Sequence, residues 1–183
     1  MTLTATGELV AAARDRGSAV GAFNVVTLEH AEAIVAAAES INHPVVLQLS
    51  ENAVRFHGGQ LTPIAAACRA VAAVAGVPVA VHLDHVTAEP LAAAALDAGF
   101  SSLMFDAGAL PYAENVETTQ REATRARAAG LWIEAELGYV GGKPGAVRSA
   151  HAAGVRALAC RTGPEASIRP HRGTQPVDML ACE

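Results

Sequence analysis

The sequence is short of the features that mark a nucleic-acid-binding, membrane or secreted protein. Thirteen Lys and Arg stand against eighteen Asp and Glu, for a net charge of −5. No basic cluster is present to neutralise phosphates, which argues against nucleic acid as the main partner. Small anionic substrates stay open, because a few local donors suffice for them. The most apolar stretch, 64–81, is broken by Arg69, Gly76 and Pro78. It reads as a helix, a turn and a strand, not as a membrane span. The amino terminus has neither a basic start nor an apolar run, so no secretory signal is expected. The cysteines are only three, Cys68, Cys160 and Cys182, with no CxxC pair. That set implies no disulfide framework and a reducing compartment, with the cytoplasm the expected location.

Aromatic residues make up 4% of the chain, while half of it is hydrophobic, much of that alanine. This favours closely packed helices on a β core over an aromatic-rich sandwich. At 183 residues the chain is long enough for one domain with a real core.

Hydrophobic periodicity and breakers predict alternating elements. A short helix over 9–16 is closed by Gly17, and a strand follows over 20–25. Thr27 can cap the next helix, which runs to about Glu39 with Glu29 in its first turn. The near-continuous apolar run 45–49 marks a strand buried on both faces. A polar loop is expected over 50–60, then a helix over 62–75 with Pro63 in its first turn. The strand beginning at Val79 leads to a helix capped by Thr87 and stopped by Gly99. A strand over 102–105, a helix over 112–129 and a strand over 131–137 complete the pattern. Repeated units of this kind build parallel sheets through right-handed crossovers. A doubly wound sheet and a (β/α) barrel both fit. The first strand end, Phe23-Asn24-Val25-Val26-Thr27, lacks the glycines of a dinucleotide fingerprint.

All five strands end in polar residues: Asn24; Gln48 with Ser50; Asp84 with His85; Asp106; and Glu134 with Glu136. In a barrel these would converge on one mouth, where chemistry is usually placed. Each has a plainer structural reading. Asp84 or Thr87 can cap a helix, and Asp106 can cap or orient its loop. His82 reads as a hydrogen-bonded core residue. Glu134 and Glu136 share one face by period 2 and can pair with a neighbouring strand. Asn24, Gln48 and Ser50 can bond backbone at the mouth. His30, His43, His57, His151 and His171 read as surface or turn residues. Polar residues closing all five strands favour the joint reading over independent caps. A His beside two or three carboxylates suits a divalent metal such as zinc, which could polarise a carbonyl while a free carboxylate moves the proton.

Five segments in order carry a resemblance. They are Gly21-Ala22-Phe23-Asn24-Val25, Gln48-Leu49-Ser50-Glu51, the run from Val79 to His85, Ser101-Ser102-Leu103-Met104-Phe105-Asp106, and Glu134-Ala135-Glu136-Leu137-Gly138 with Gly141-Gly142. Together they resemble the zinc-dependent class II aldolases that act on fructose- and tagatose-1,6-bisphosphate. The resemblance implies a (β/α) TIM barrel and reversible cleavage of a phosphorylated sugar to dihydroxyacetone phosphate and an aldehyde. It implies Asp84 as the catalytic acid/base, His85 as a zinc ligand, and Asp106 and Glu136 as carboxylates of a second or alternative metal position. It further implies Asn24, Gln48 and Ser50 in the substrate pocket, with Ser50 near a phosphate, and a homo-oligomer of two or four chains.

The family completes its zinc site with two later histidines, each followed by glycine, and no His-Gly pair follows His57 here. The family's Asn-x-Asp-Thr segment is also absent. Five of eight βα units are countable in residues 1–155. Residues 156–183, interrupted by Pro164, Pro170 and Pro176, read as an irregular or disordered tail of the kind a frameshift leaves. The expectation is a C-terminally truncated aldolase. The alternatives are an inactive fragment, or one that works only by pairing with a complementary chain.

Overall fold

The computed structural model describes residues 2–136. The expected tail over 156–183, the Gly141-Gly142 segment and the end of the fifth strand at Leu137 lie outside the described residues.

Helix α1 (Thr6–Asp15) comes first, followed by β1 (Gly21–Asn24), α2 (Leu28–Ser40) and β2 (Val45–Ser50). Next come α3 (Glu51–Phe56), α4 (Leu61–Val74), β3 (Val79–Val86) and α5 (Glu89–Ala94). The last elements are β4 (Ser102–Phe105), α6 (Tyr112–Ala128) and β5 (Trp132–Ala135). Thr27 does stand at the N-cap of α2. The His30 ring reaches back to accept the Thr27 N–H at 3.3 Å, closing that end.

Two local expectations are corrected. The stretch after β2 is not a loop throughout, because α3 occupies Glu51–Phe56, capped by Ser50 Oγ on the Ala53 N–H at 3.1 Å. Six residues are too few to display a helical period, so the sequence pattern hides it. Thr87 does not cap α5; Ala88 holds that position, and the Thr87 hydroxyl is spent on Glu51.

All strand pairs are parallel and lie in the order β1-β2-β3-β4-β5. A doubly wound sheet would reverse direction at a switch point. The strictly sequential order is that of a (β/α) barrel, here an arc of five strands among the described residues. Period 2 divides each strand between two faces. Val45, Leu47 and Leu49 with Val79, Val81 and Leu83 point outward, into the core shared with the helices. At the amino end of the inner face, Val46 and Ala80 meet Leu9 of α1. Helix α1 therefore covers the bottom of the arc and leaves the carboxyl ends of the strands open. No helix among the described residues is long and apolar enough to cross a membrane.

Candidate active site

Strand register assembles the inner face. Asn24, Gln48, His82, Ser102 and Trp132 are successive partners across the five strands and form one row. One step closer to the mouth, Ser50 pairs with Asp84. His82 is a buried, hydrogen-bonded residue, as the sequence suggests. Its Nδ1 lies 2.7 Å from Ser102 Oγ, and that hydroxyl donates to Thr6 Oγ1 of α1 at 2.6 Å. Its Nε2 faces Asp84 Oδ1 at 3.8 Å and Glu134 Oε2 at 3.9 Å. Both are longer than hydrogen bonds, so the interaction is electrostatic.

Asp84 and His85 are consecutive, and a regular strand would send them to opposite faces. The β3–β4 register shifts between Leu83 and Val86, so three residues of β3 span two of β4. His85 sits inside this bulge with φ 49°, in the left-handed region. For a residue with a Cβ that conformation costs about 1–2 kcal/mol. The bulge re-aims the imidazole. His85 Nε2 comes to 3.9 Å from Asp84 Oδ2, while Nδ1 lies 3.0 Å from Asp106 Oδ2 and 3.2 Å from Glu136 Oε2. The residues predicted from the ends of β3, β4 and β5 thus meet at one point.

His85, Asp106 and Glu136 each offer one ligand atom, and the three atoms lie within 4.8 Å of one another. Glu136 is 4% exposed, and its Oε2 has no hydrogen-bond partner among the described residues. The imidazole nitrogen beside it carries at most one proton, and Asp106 Oδ2 is nearer to receive it. One nitrogen cannot satisfy two carboxylates, and a divalent cation at this point would. An imidazole nitrogen with two carboxylate oxygens is a donor set such an ion accepts.

The neighbouring carboxyls are driven in opposite directions. Burial alone would push Asp84 up, but His82, the charge of His85 and the Gln48 amide outweigh it and hold the carboxyl below its ordinary value. Burial pushes Glu134 up, and the nearby histidines do not offset it. Carboxyls with pKa values moved apart are suited to different roles in proton transfer.

Of the expected substrate residues, Gln48 is half-buried beside His82, and Asn24 is exposed at the end of β1. Ser50 is the α3 cap. Two supporting residues escaped the sequence reading. Fully buried Asn115 of α6 donates to the carbonyls of Ala107 at 2.8 Å and Glu136 at 3.1 Å, tying together the segments behind Asp106 and Glu136. Its signal was a polar residue on the inward face of α6, in line with Thr119 and Ala123. The other is Glu51, a buried acid that reaches across to Thr87. No local pattern announces its partner.

The family model described as "Fructose-bisphosphate aldolase class-II" matches residues 4–183. The chain belongs to the class II fructose-bisphosphate aldolase family. It is 42% identical over 144 residues to the "Probable fructose-bisphosphate aldolase" of Bacillus subtilis (strain 168), covering 78% of this chain and 50% of that protein. The fructose-bisphosphate aldolase of Geobacillus stearothermophilus is 42% identical over 151 residues, with the same coverage of 78% and 50%. Among solved structures, the YdjI aldolase of Escherichia coli K12 superposes with a TM-score of 0.68 at 28% identity, over 75% of this chain and 52% of that one. The chain therefore spans about half the length of the curated relatives it matches. The described residues of the five resembling segments fall at or beside the inner row and the cluster of His85, Asp106 and Glu136.

Proposed function

We propose that this site carries out reversible, zinc-dependent aldol cleavage of a ketose 1,6-bisphosphate, fructose or tagatose, giving dihydroxyacetone phosphate and an aldehyde. The observation that carries the reading is the buried Glu136 oxygen, without a hydrogen-bond partner among the described residues, facing His85 and Asp106 beside an Asp84 carboxyl held below its ordinary value. His85, Asp106 and Glu136 would hold the metal. Zinc bound there supplies a Lewis acid that withdraws charge from the ketose oxygens. Asp84, ionised and set back from the solvent, takes the proton of the C4 hydroxyl in cleavage and returns it in condensation. Asn24, Gln48 and Ser50 line the sugar side of the mouth. The setting is the cytoplasm, the working form a homo-oligomer, and neither nucleic acid nor membrane is a partner.

The test is to measure zinc bound to the purified chain and assay cleavage of both bisphosphates against an Asp84→Ala control. Cleavage above that control with bound zinc is the expected result. No cleavage and no tight zinc overturns it. A second reading is favoured by β1, exposed along its whole length with Phe23 54% exposed. An edge with no further strand on it among the described residues pairs readily with another chain. On that reading the chain is inert alone and acts only with a complementary partner.

A further inference from the structure

Glu51 is a buried carboxylate, 7% exposed, that the reaction above does not use. It opens α3 directly after Ser50, and its acceptors face the segment that leaves β3. Oε2 takes the Thr87 N–H at 2.6 Å, the Ala88 N–H at 3.3 Å and the Thr87 hydroxyl at 3.0 Å. Oε1 also takes the Thr87 hydroxyl, at 3.1 Å, and is paired with Arg55 one turn further along α3. These backbone groups come two and three residues after His85, between the bulge and the start of α5.

We propose that Glu51 is a positioning residue for the metal centre. By clamping the backbone at Thr87 and Ala88 it holds His85 in its left-handed conformation, and so holds the imidazole on the side of Asp106 and Glu136. The inference rests on the metal reading of the triad. A left-handed histidine is unfavourable by itself, and surrounding contacts must maintain it. Without the carboxylate, the Thr87 and Ala88 N–H groups lose a charged acceptor. The bulge can then relax toward regular pairing, and period 2 would turn His85 away from the face that carries Asp84. The conservative change Glu51→Gln weakens the clamp as well, because it removes the charge that the two backbone N–H groups share and turns an NH2 group toward the Arg55 guanidinium.

The test compares Glu51→Ala and Glu51→Gln with Glu39→Ala in the full chain. Glu39 is a matched control. Its Oε1 also accepts a distant backbone N–H, that of Gly76 at 2.6 Å, but at the opposite end of the strands. Zinc affinity by chelator competition is expected to fall about 10–100-fold in both Glu51 variants, the range typical for residues that orient metal ligands. The visible spectrum of the cobalt-substituted protein should change with it. Glu39→Ala should lower the melting temperature and leave zinc affinity unchanged. Thr87→Val should weaken zinc less than the Glu51 changes, and Thr87→Ser should restore it. Equal zinc affinity in wild type and Glu51→Gln, or an equal loss in Glu39→Ala, overturns the proposal. If wild type binds no zinc, or binds it undiminished after His85→Ala, the metal reading fails instead. The clamp is then judged on metal-free protein by NMR. Shifted His85 resonances and faster amide exchange at Thr87 and Ala88 in Glu51→Gln support it, and unchanged ones overturn it.

Discussion

The two faces of the sheet come from the same strands, yet they are built for different ends. The outer face carries Val45, Leu47, Leu49, Val79, Val81 and Leu83, all buried against helices. The inner face carries Gln48, His82, Asp84, Ser102 and Glu134 toward the mouth, with a small apolar cluster under α1 at the bottom. Removing apolar groups from water stabilises a fold, while burying polar groups costs free energy unless each finds a partner. Stability is therefore concentrated on the outer face. The inner face keeps a buried carboxylate oxygen, Glu136 Oε2, that has no hydrogen-bond partner among the described residues.

The largest effect should come from cutting the outer face. Leu47 is completely buried, and Leu47→Ala should cost about 2–5 kcal/mol of unfolding free energy, read from a urea melt. A loss under about 1 kcal/mol would mean the outer face does not carry the fold. Glu136→Gln should act in the opposite sense. It gives a donor to a position that now crowds acceptors, and should stabilise the metal-free protein by about 1 kcal/mol. The same change should weaken zinc binding. A Glu136→Gln protein that is both less stable and equally able to bind zinc would erase the contrast between the faces.

The alternation in β3 made much of this legible. Residues 79, 80, 81 and 83 are apolar, while 82 and 84 are polar, and period 2 places His82 and Asp84 on one face. The β4 expectation of 102–105 coincides with the strand found. Strand order was not legible, because a parallel β-then-α repeat is common to two architectures. His85 is legible as a candidate ligand, but its direction is not, since the bulge is set by pairing with β4 and leaves no mark in the local sequence. Glu51 and Thr87 lie 36 residues apart and pair through one carboxylate. Periodicity reports which face a side chain takes; it does not report which partner from another element meets it there.

A smaller effect concerns pH on the inner face. The Glu134 carboxyl is raised above its ordinary 4.5 by burial. Its favourable, protonated form is fully present below the unfolded value, and that stability is lost as pH rises through the folded one. Asp84, lowered from its ordinary 3.8, behaves oppositely and loses its contribution as pH falls through its folded value. Urea midpoints of metal-free Glu134→Gln between pH 4 and 7 should therefore decline less with rising pH than those of wild type. Parallel profiles would show that Glu134 is not the group responsible.

The smallest expected effect is at Cys68, and it separates burial as such from burial beside charge. Cys68 is fully buried in the outer core, and burial pushes its thiol from an ordinary 9.0 up to about 11. Asp84 is nearly as buried, at 4% exposure, yet its pKa moves toward the charged form because His82, His85 and Gln48 surround it. A thiol at that value is roughly one part in ten thousand thiolate at neutral pH, and the thiolate is the reactive species. Alkylation of the native protein, mapped by mass spectrometry to separate Cys68 from Cys160 and Cys182, should leave Cys68 unmodified until urea unfolds the chain. Because the native state binds the proton more tightly, stability should fall as pH rises from about 9 to about 11. Cys68→Ala should remove that fall, and rapid labelling of Cys68 in the folded chain at pH 7 would contradict the burial on which the outer face depends.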